Sequence, residues 1–133
     1  MSADEIILDA SVFIRAVRGN EPALSWVRRA WGREVRLVAP ALILAEVANG
    51  LLKYVERGEM VPDDAYGAVR DVQMLTKRVA LEVLFPRALE LALARGLTAY
   101  DAAYAHLAEV GQRPLVTADR RLAAAVPGSV LLP

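Results

Sequence analysis

Four carboxylates, Asp9, Glu46, Asp101 and Asp119, stand at the boundaries of regular elements rather than on ordinary polar faces. Asp9 closes the strand-like run Ile6-Ile7-Leu8, and Asp119 follows a second such run, Leu115-Val116-Thr117. Glu46 lies in the first turns of a long helical stretch, and Asp101 in the first turn of a helix that Thr98 caps. Carboxylate oxygens are the hard ligands that Mg²⁺ and Mn²⁺ prefer. In phosphoryl chemistry such ions activate water and steady the leaving oxygen. The chain has no Cys and one His, His106, so thiolate sites, disulfides and multi-His centres are excluded. His106 sits mid-helix between Ala105 and Leu107 and reads as an ordinary packed or surface residue.

Each acid also has a plainer use. Thr98-x-x-Asp101 matches a capping box. Asp9 and Asp119 can each cap the helix that follows, and Glu46 can be the first solvated residue of a polar stripe. Ser, Thr and Asn cap as well as Asp, so capping alone does not require a carboxylate at every one of these positions.

The elements that must position these acids alternate in type, short apolar runs with longer helical ones, which predicts an α/β domain with a largely parallel sheet. Strands are expected at Ile6-Ile7-Leu8, Arg36-Leu37-Val38, Val79 to Leu84, Leu115-Val116-Thr117 and Val130-Leu131-Leu132. Helices are expected from Ser11 to Arg18, from an Asn20 cap to about Gly32, and from Ala41 to Arg57 with Gly58 as its stop. Others run from Pro62 to about Leu75, Pro86 to Gly96, Thr98 to about Val110, and Arg120 to Ala125. The Ala41–Arg57 helix reads as mostly buried, with a single polar stripe of Glu46, Asn49, Gly50, Lys53, Glu56 and Arg57. Trp26 and Trp31 are five apart and share no face well, so one is expected in the core and one at an interface. In an open parallel sheet, strand carboxyl ends and helix amino ends share one edge, which sends all four acids to the same rim.

The four segments Leu8-Asp9-Ala10-Ser11-Val12, Ala45-Glu46-Val47-Ala48-Asn49-Gly50-Leu51, Thr98-Ala99-Tyr100-Asp101-Ala102-Ala103-Tyr104 and Val116-Thr117-Ala118-Asp119-Arg120-Arg121-Leu122 resemble, in order and spacing, the signature blocks of PIN-domain proteins. The likeness is closest to the VapC-type toxins of bacterial and archaeal toxin–antitoxin pairs. It implies a three-layer α/β/α fold with a central, mostly parallel sheet, spanning residues 1–133 as a single domain. It implies that Asp9, Glu46, Asp101 and Asp119 are the catalytic, metal-binding acids, that Thr117 and Ser11 support them, and that Mg²⁺ or Mn²⁺ is the cofactor. The activity implied is that of an endoribonuclease cleaving RNA, held inactive by a cognate antitoxin protein and assembled as a homodimer. Arg120 and Arg15 are candidates to hold RNA phosphates, with Arg121 and Arg18 beside them. The alternatives within the family are a housekeeping PIN nuclease without an antitoxin and a non-catalytic PIN-fold binding module.

Two other uses of an acid after a first strand fit less well. A phosphoacceptor domain wants a Lys after a late strand, and the two Lys residues, Lys53 and Lys77, are not so placed. A haloacid-dehalogenase-like phosphatase wants a second Asp two residues after Asp9, where Ser11 stands. The balance of 16 basic and 16 acidic residues argues against a polybasic, DNA-coating protein. The apolar share of 56% is above the ordinary range and favours a compact body, together with surface buried by a partner. The expected dimer faces are Trp26 to Trp31 and Leu51 to Val55, and the expected antitoxin groove lies beside the acidic rim along the Ala41–Arg57 helix. Acidic residues stand near the N-terminus where a signal peptide has basic ones, and no apolar run reaches membrane-spanning length, so a soluble cytoplasmic protein is expected.

Overall fold

Short strands, all but the last followed by a helix, lie side by side in one parallel sheet, and the Val-, Ile- and Leu-rich runs at its centre are largely buried on both faces. The structure, a computed structural model, describes residues 4–133. In chain order its elements are β1 (Asp4–Leu8), α1 (Ala10–Val17), α2 (Glu21–Trp31), β2 (Val35–Pro40), α3 (Ile43–Glu56), α4 (Pro62–Leu75) and β3 (Thr76–Val79). There follow α5 (Leu81–Leu84), α6 (Arg87–Arg95), α7 (Ala99–Val110), β4 (Leu115–Thr117), α8 (Arg120–Ala125) and β5 (Val130–Leu131). The strand order is β3-β2-β1-β4-β5, and every neighbouring pair is parallel.

That order dictates the layers. The chain steps outward from β1 to β2 and β3, then returns to the far side of β1 for β4 and β5. Right-handed crossovers then place the first connections on one face and the later ones on the other. Accordingly α1 packs with α2, α3 and α4, while α7 packs with α5, α6 and α8. The reversal falls between β1 and β4, a switch point at which open α/β sheets form a crevice beyond the strand carboxyl ends.

The core is centred on Ile6, Ile7 and Leu8 of β1, all buried. On one side α7 offers Ala102, Ala103, Ala105 and Ala108, buried residues small enough to let that helix lie close to β1, β2 and β4. Helix caps fall where expected: Asn20 starts α2, its Oδ1 accepting from Ala23 N at 3.1 Å, and Gly96 ends α6 with φ 66°.

Three expectations need correction. α3 is not mostly buried: only the Ile43, Val47 and Leu51 ridge is covered, while Ala45, Ala48 and Leu52 face outward. Alanine counts as apolar in a periodicity yet is cheap to leave exposed, which is why the pattern overstated burial. The strand expected over Val79 to Leu84 lies earlier, at Thr76–Val79, and Leu81–Leu84 is a helical turn. β3 is an edge strand carrying Lys77 and Arg78, charges that protect an open edge and at the same time hide the strand from an apolar pattern. Neither Trp is in the core; Trp26 is half-buried and Trp31 is exposed.

Candidate metal centre

The site is built from four strand-to-helix or loop-to-helix junctions. Asp9 follows β1 and caps α1, its main-chain N–H donating to Val116 O of β4 at 3.2 Å. Asp119 follows β4 and caps α8, using Oδ1 to accept from Arg121 N at 2.9 Å and Leu122 N at 3.3 Å. These two acids therefore flank the switch point. Glu46 sits in the first turn of α3 and Asp101 in the first turn of α7.

Asp9 is buried and held from both sides. Its Oδ1 accepts from Ser11 N at 3.1 Å and from the Ser11 hydroxyl, and its Oδ2 accepts from Thr117 Oγ1 at 2.5 Å. Each hydroxyl also accepts a main-chain N–H: Ala118 N donates to Ser11 Oγ at 2.9 Å, and Asp119 N donates to Thr117 Oγ1 at 3.0 Å. An N–H can only donate, so the hydroxyl protons are left for the carboxylate. The network thus presents Asp9 as a pure acceptor in one orientation. Burial nevertheless raises its pKa, against the lowering effect of these hydrogen bonds.

Glu46 Oε1 accepts from Tyr104 Oη at 2.7 Å. Its pKa is raised to about 6, first by burial and then by the charges of Asp9 and Asp101. Asp101 is raised too, by burial and then by the charge of Asp119. The four acids therefore lie within one another's field, in the sequence Asp9, Glu46, Asp101, Asp119. None of them belongs to any ion pair among the described residues. Their side chains do not form a closed chelate: among the described residues no three acidic, His or Cys side chains are grouped so as to hold an ion. The donor set itself fits a hard divalent cation, since it is all carboxylate, unpaired with Arg or Lys, and raised in pKa at three members.

The plain roles and the chemical ones coexist. Asp9 and Asp119 are helix caps, yet Asp119 spends only Oδ1 on its cap. Thr98 Oγ1 accepts from Asp101 N at 3.1 Å, but the reciprocal arm of a capping box, from the Asp101 carboxylate to Thr98 N, is not made. Thr117 and Ser11 touch Asp9 directly. Of the arginines, Arg121 has a charge close enough to Asp101 to lower its pKa. Arg120 is exposed beside it, and Arg15, in the last turn of α1, donates to Pro133 O at 3.0 Å. Tyr104 carries no role in the sequence reading. Its signal was the spacing: three residues after Asp101 it shares that residue's side of α7, and it is fully buried with its hydroxyl on Glu46.

Beside Glu46 a groove of about 640 Å³ runs between α3 and Tyr100 of α7.

Comparison with known proteins agrees with this architecture. The PIN domain family profile matches residues 6–126, a span that includes all four acids. Ribonuclease VapC3 of Pyrobaculum aerophilum is 35% identical over 130 residues, covering 95% of this chain and 98% of the relative. The crystal structure of PAE2754 from the same organism superposes with a TM-score of 0.74 at 27% identity, covering 98% of this chain and 91% of that one. VapBC2 from Rickettsia felis, solved bound to a promoter DNA fragment, gives a TM-score of 0.62 at 13% identity over 96% of this chain and 97% of that one, a likeness of fold. With the strand order, the acid-bearing junctions and the profile in agreement, the chain belongs to the PIN-domain family.

Proposed function

We propose that this protein is a divalent-metal-dependent endoribonuclease of the VapC kind, the toxin of a toxin–antitoxin pair, with Mg²⁺ or Mn²⁺ held by Asp9, Glu46, Asp101 and Asp119. The observation that carries the reading is that four acids from four separate junctions act on one another in pairs, Glu46 with Asp9 and Asp101, and Asp101 with Asp119, while none is paired with Arg or Lys among the described residues. The name of the Pyrobaculum aerophilum relative supports the activity, and the fold shared with VapBC2 fits the pairing with an antitoxin.

A bound ion supplies charge neutralisation at the scissile phosphate and an activated water. The chain's own residues supply position. Ser11 and Thr117 hold Asp9 in one orientation, Tyr104 holds Glu46, and the first turn of α8 holds one oxygen of Asp119. Arg121, beside Asp101, and the exposed Arg120 offer guanidinium groups to RNA phosphates, which a rigid donor fork suits. A cytoplasmic setting fits an RNA substrate held in check by an antitoxin. The antitoxin is expected to lay a segment beside the acidic rim and direct an Arg or Lys at the carboxylates, competing with the metal.

The test is RNA cleavage by the purified protein. It should require Mg²⁺ or Mn²⁺, stop in EDTA and resume when the ion is restored. Cleavage undiminished in excess EDTA contradicts the mechanism and leaves the fold untouched.

A further inference from the structure

The groove beside Glu46 has a chemistry of its own. One wall is the α3 face that carries Glu46, Asn49 and Lys53, and the other is Tyr100 of α7. Positions 46, 49 and 53 share one helical face. Seven residues of helix rise place Lys53 about 10 Å along the axis from Glu46. Glu46 belongs to both the groove and the acidic site, so the two are continuous. Tyr100 is 63% exposed, a large ring left open to solvent directly before Asp101. Lys53 forms no ion pair among the described residues, and it is one of only two Lys in the chain. Asn49 is exposed, with an amide that both donates and accepts.

An aromatic face, an amide and an ammonium beside a cluster of acids match what a single-stranded nucleotide offers. Its base stacks on aromatic rings, its edge pairs with amides, and its phosphate seeks a cation. We propose that this groove seats one nucleotide of single-stranded RNA next to the scissile phosphate, with Tyr100 stacking on the base, Asn49 reading its edge and Lys53 holding the adjoining phosphate. The proposal rests on the ribonuclease reading and adds to it a position at which base identity is read. It also gives the groove a use that an antitoxin segment lying there would block.

The experiment is steady-state cleavage of a randomised single-stranded RNA pool in Mn²⁺, with the product ends sequenced and the melting temperature of every variant recorded. Tyr100→Ala should raise KM on the order of 10-fold, the scale of one lost stack, while kcat and melting temperature stay at the wild-type values. Tyr100→Phe keeps the ring and should keep KM. Asn49→Ala should flatten the base preference at one position flanking the cut. Lys53→Ala should reduce the salt dependence of kcat/KM by about one phosphate contact. Wild-type KM and wild-type base preference in both Tyr100→Ala and Asn49→Ala overturn the proposal while the ribonuclease reading stands. Variants that cut RNA normally but lose hold of the antitoxin assign the groove to protein and overturn it likewise. A wild-type protein that cuts no RNA under any ion overturns the ribonuclease reading, and this proposal with it.

Discussion

Asp9 and Asp119 each cap a helix and face the other acids, so substitutions must separate charge from shape. Asp→Asn keeps the capping oxygen and removes the charge. At Asp9, Asp101 or Asp119 it should cut ribonuclease activity on the order of 10²-fold or more, because even outer-shell changes at metal sites cost about 10–100-fold. Folding should survive, as read by circular dichroism and melting. An Asp101→Asn protein with full activity and an early melt would return that residue to a purely structural role. Tyr104→Phe removes only the hydroxyl that holds Glu46, and should weaken Mn²⁺ binding by about 10-fold in calorimetric titration. If that effect persisted undiminished in a Glu46→Gln background, the hydroxyl would not be acting through Glu46. The pH dependence has a definite sign. Glu46 titrates at about 6 in the folded protein, above the roughly 4.3 of an ordinary Glu. As pH rises from about 4.3 to about 6, the folded state holds more protons than the unfolded state, so stability falls and the cost is fully present above about 6. Burial raises Asp9 and Asp101 in the same sense. A bound divalent ion offsets that cost, so the rise in melting temperature with Mn²⁺ should be larger at about pH 7 than at about pH 5. Equal shifts at both would contradict the coupling.

At the scale of elements, α3 is fixed by its approach to α1. A Cβ at Gly50 would stand 2.4 Å from Ile14 Cδ1 and 3.3 Å from Ile14 Cγ1, so Gly50 is where the two helices meet. The atom met is the free end of the Ile14 side chain, which can turn aside, and the helix propensity gained, about 1 kcal/mol, offsets the shift. Gly50→Ala should therefore change stability by no more than about 1 kcal/mol and leave RNA cleavage near the wild-type rate, measured by urea unfolding and cleavage assay. A larger loss that Ile14→Val in the same chain repairs would mean that Ile14 has no room to turn. The acid-bearing junctions were legible because strand ends, Asp-led caps and glycine stops are local signals. The sheet's edge strand was not, because Lys77 and Arg78 interrupt its apolar pattern. The bond from Tyr104 to Glu46 was not legible either, because it depends on how closely α7 approaches the sheet on its buried alanines. The exposed outer face of α3 was misread for a related reason: residue type records what can be buried, and only packing decides what is.

The whole molecule leaves apolar surface unaccounted for. Trp31 and Leu52, on the two faces expected to pair, are 46% and 50% exposed. Val83, Leu89 and Leu93 on α5 and α6 are at least as open, with Leu93 at 80%. A homodimer is expected, and light scattering at micromolar concentration should report twice the monomer mass. Leu89→Glu with Leu93→Glu should return the monomer if α6 is the face used, and Trp31→Glu if α2 is; a monomer mass for the unaltered chain would count against both. No helix among the described residues is long and apolar enough to cross a membrane. The switch point between β1 and β4 gathers the ends of both halves of the sheet, and what those ends hold decides the function. The most direct measurement is a crystal grown with Mn²⁺ and measured at the manganese absorption edge. An anomalous peak should appear, coordinated by Asp9 and at least one of Glu46, Asp101 and Asp119, with those side chains drawn inward from their present separation. A peak bound elsewhere on the molecule, or none at saturating Mn²⁺, would contradict the proposed metal centre.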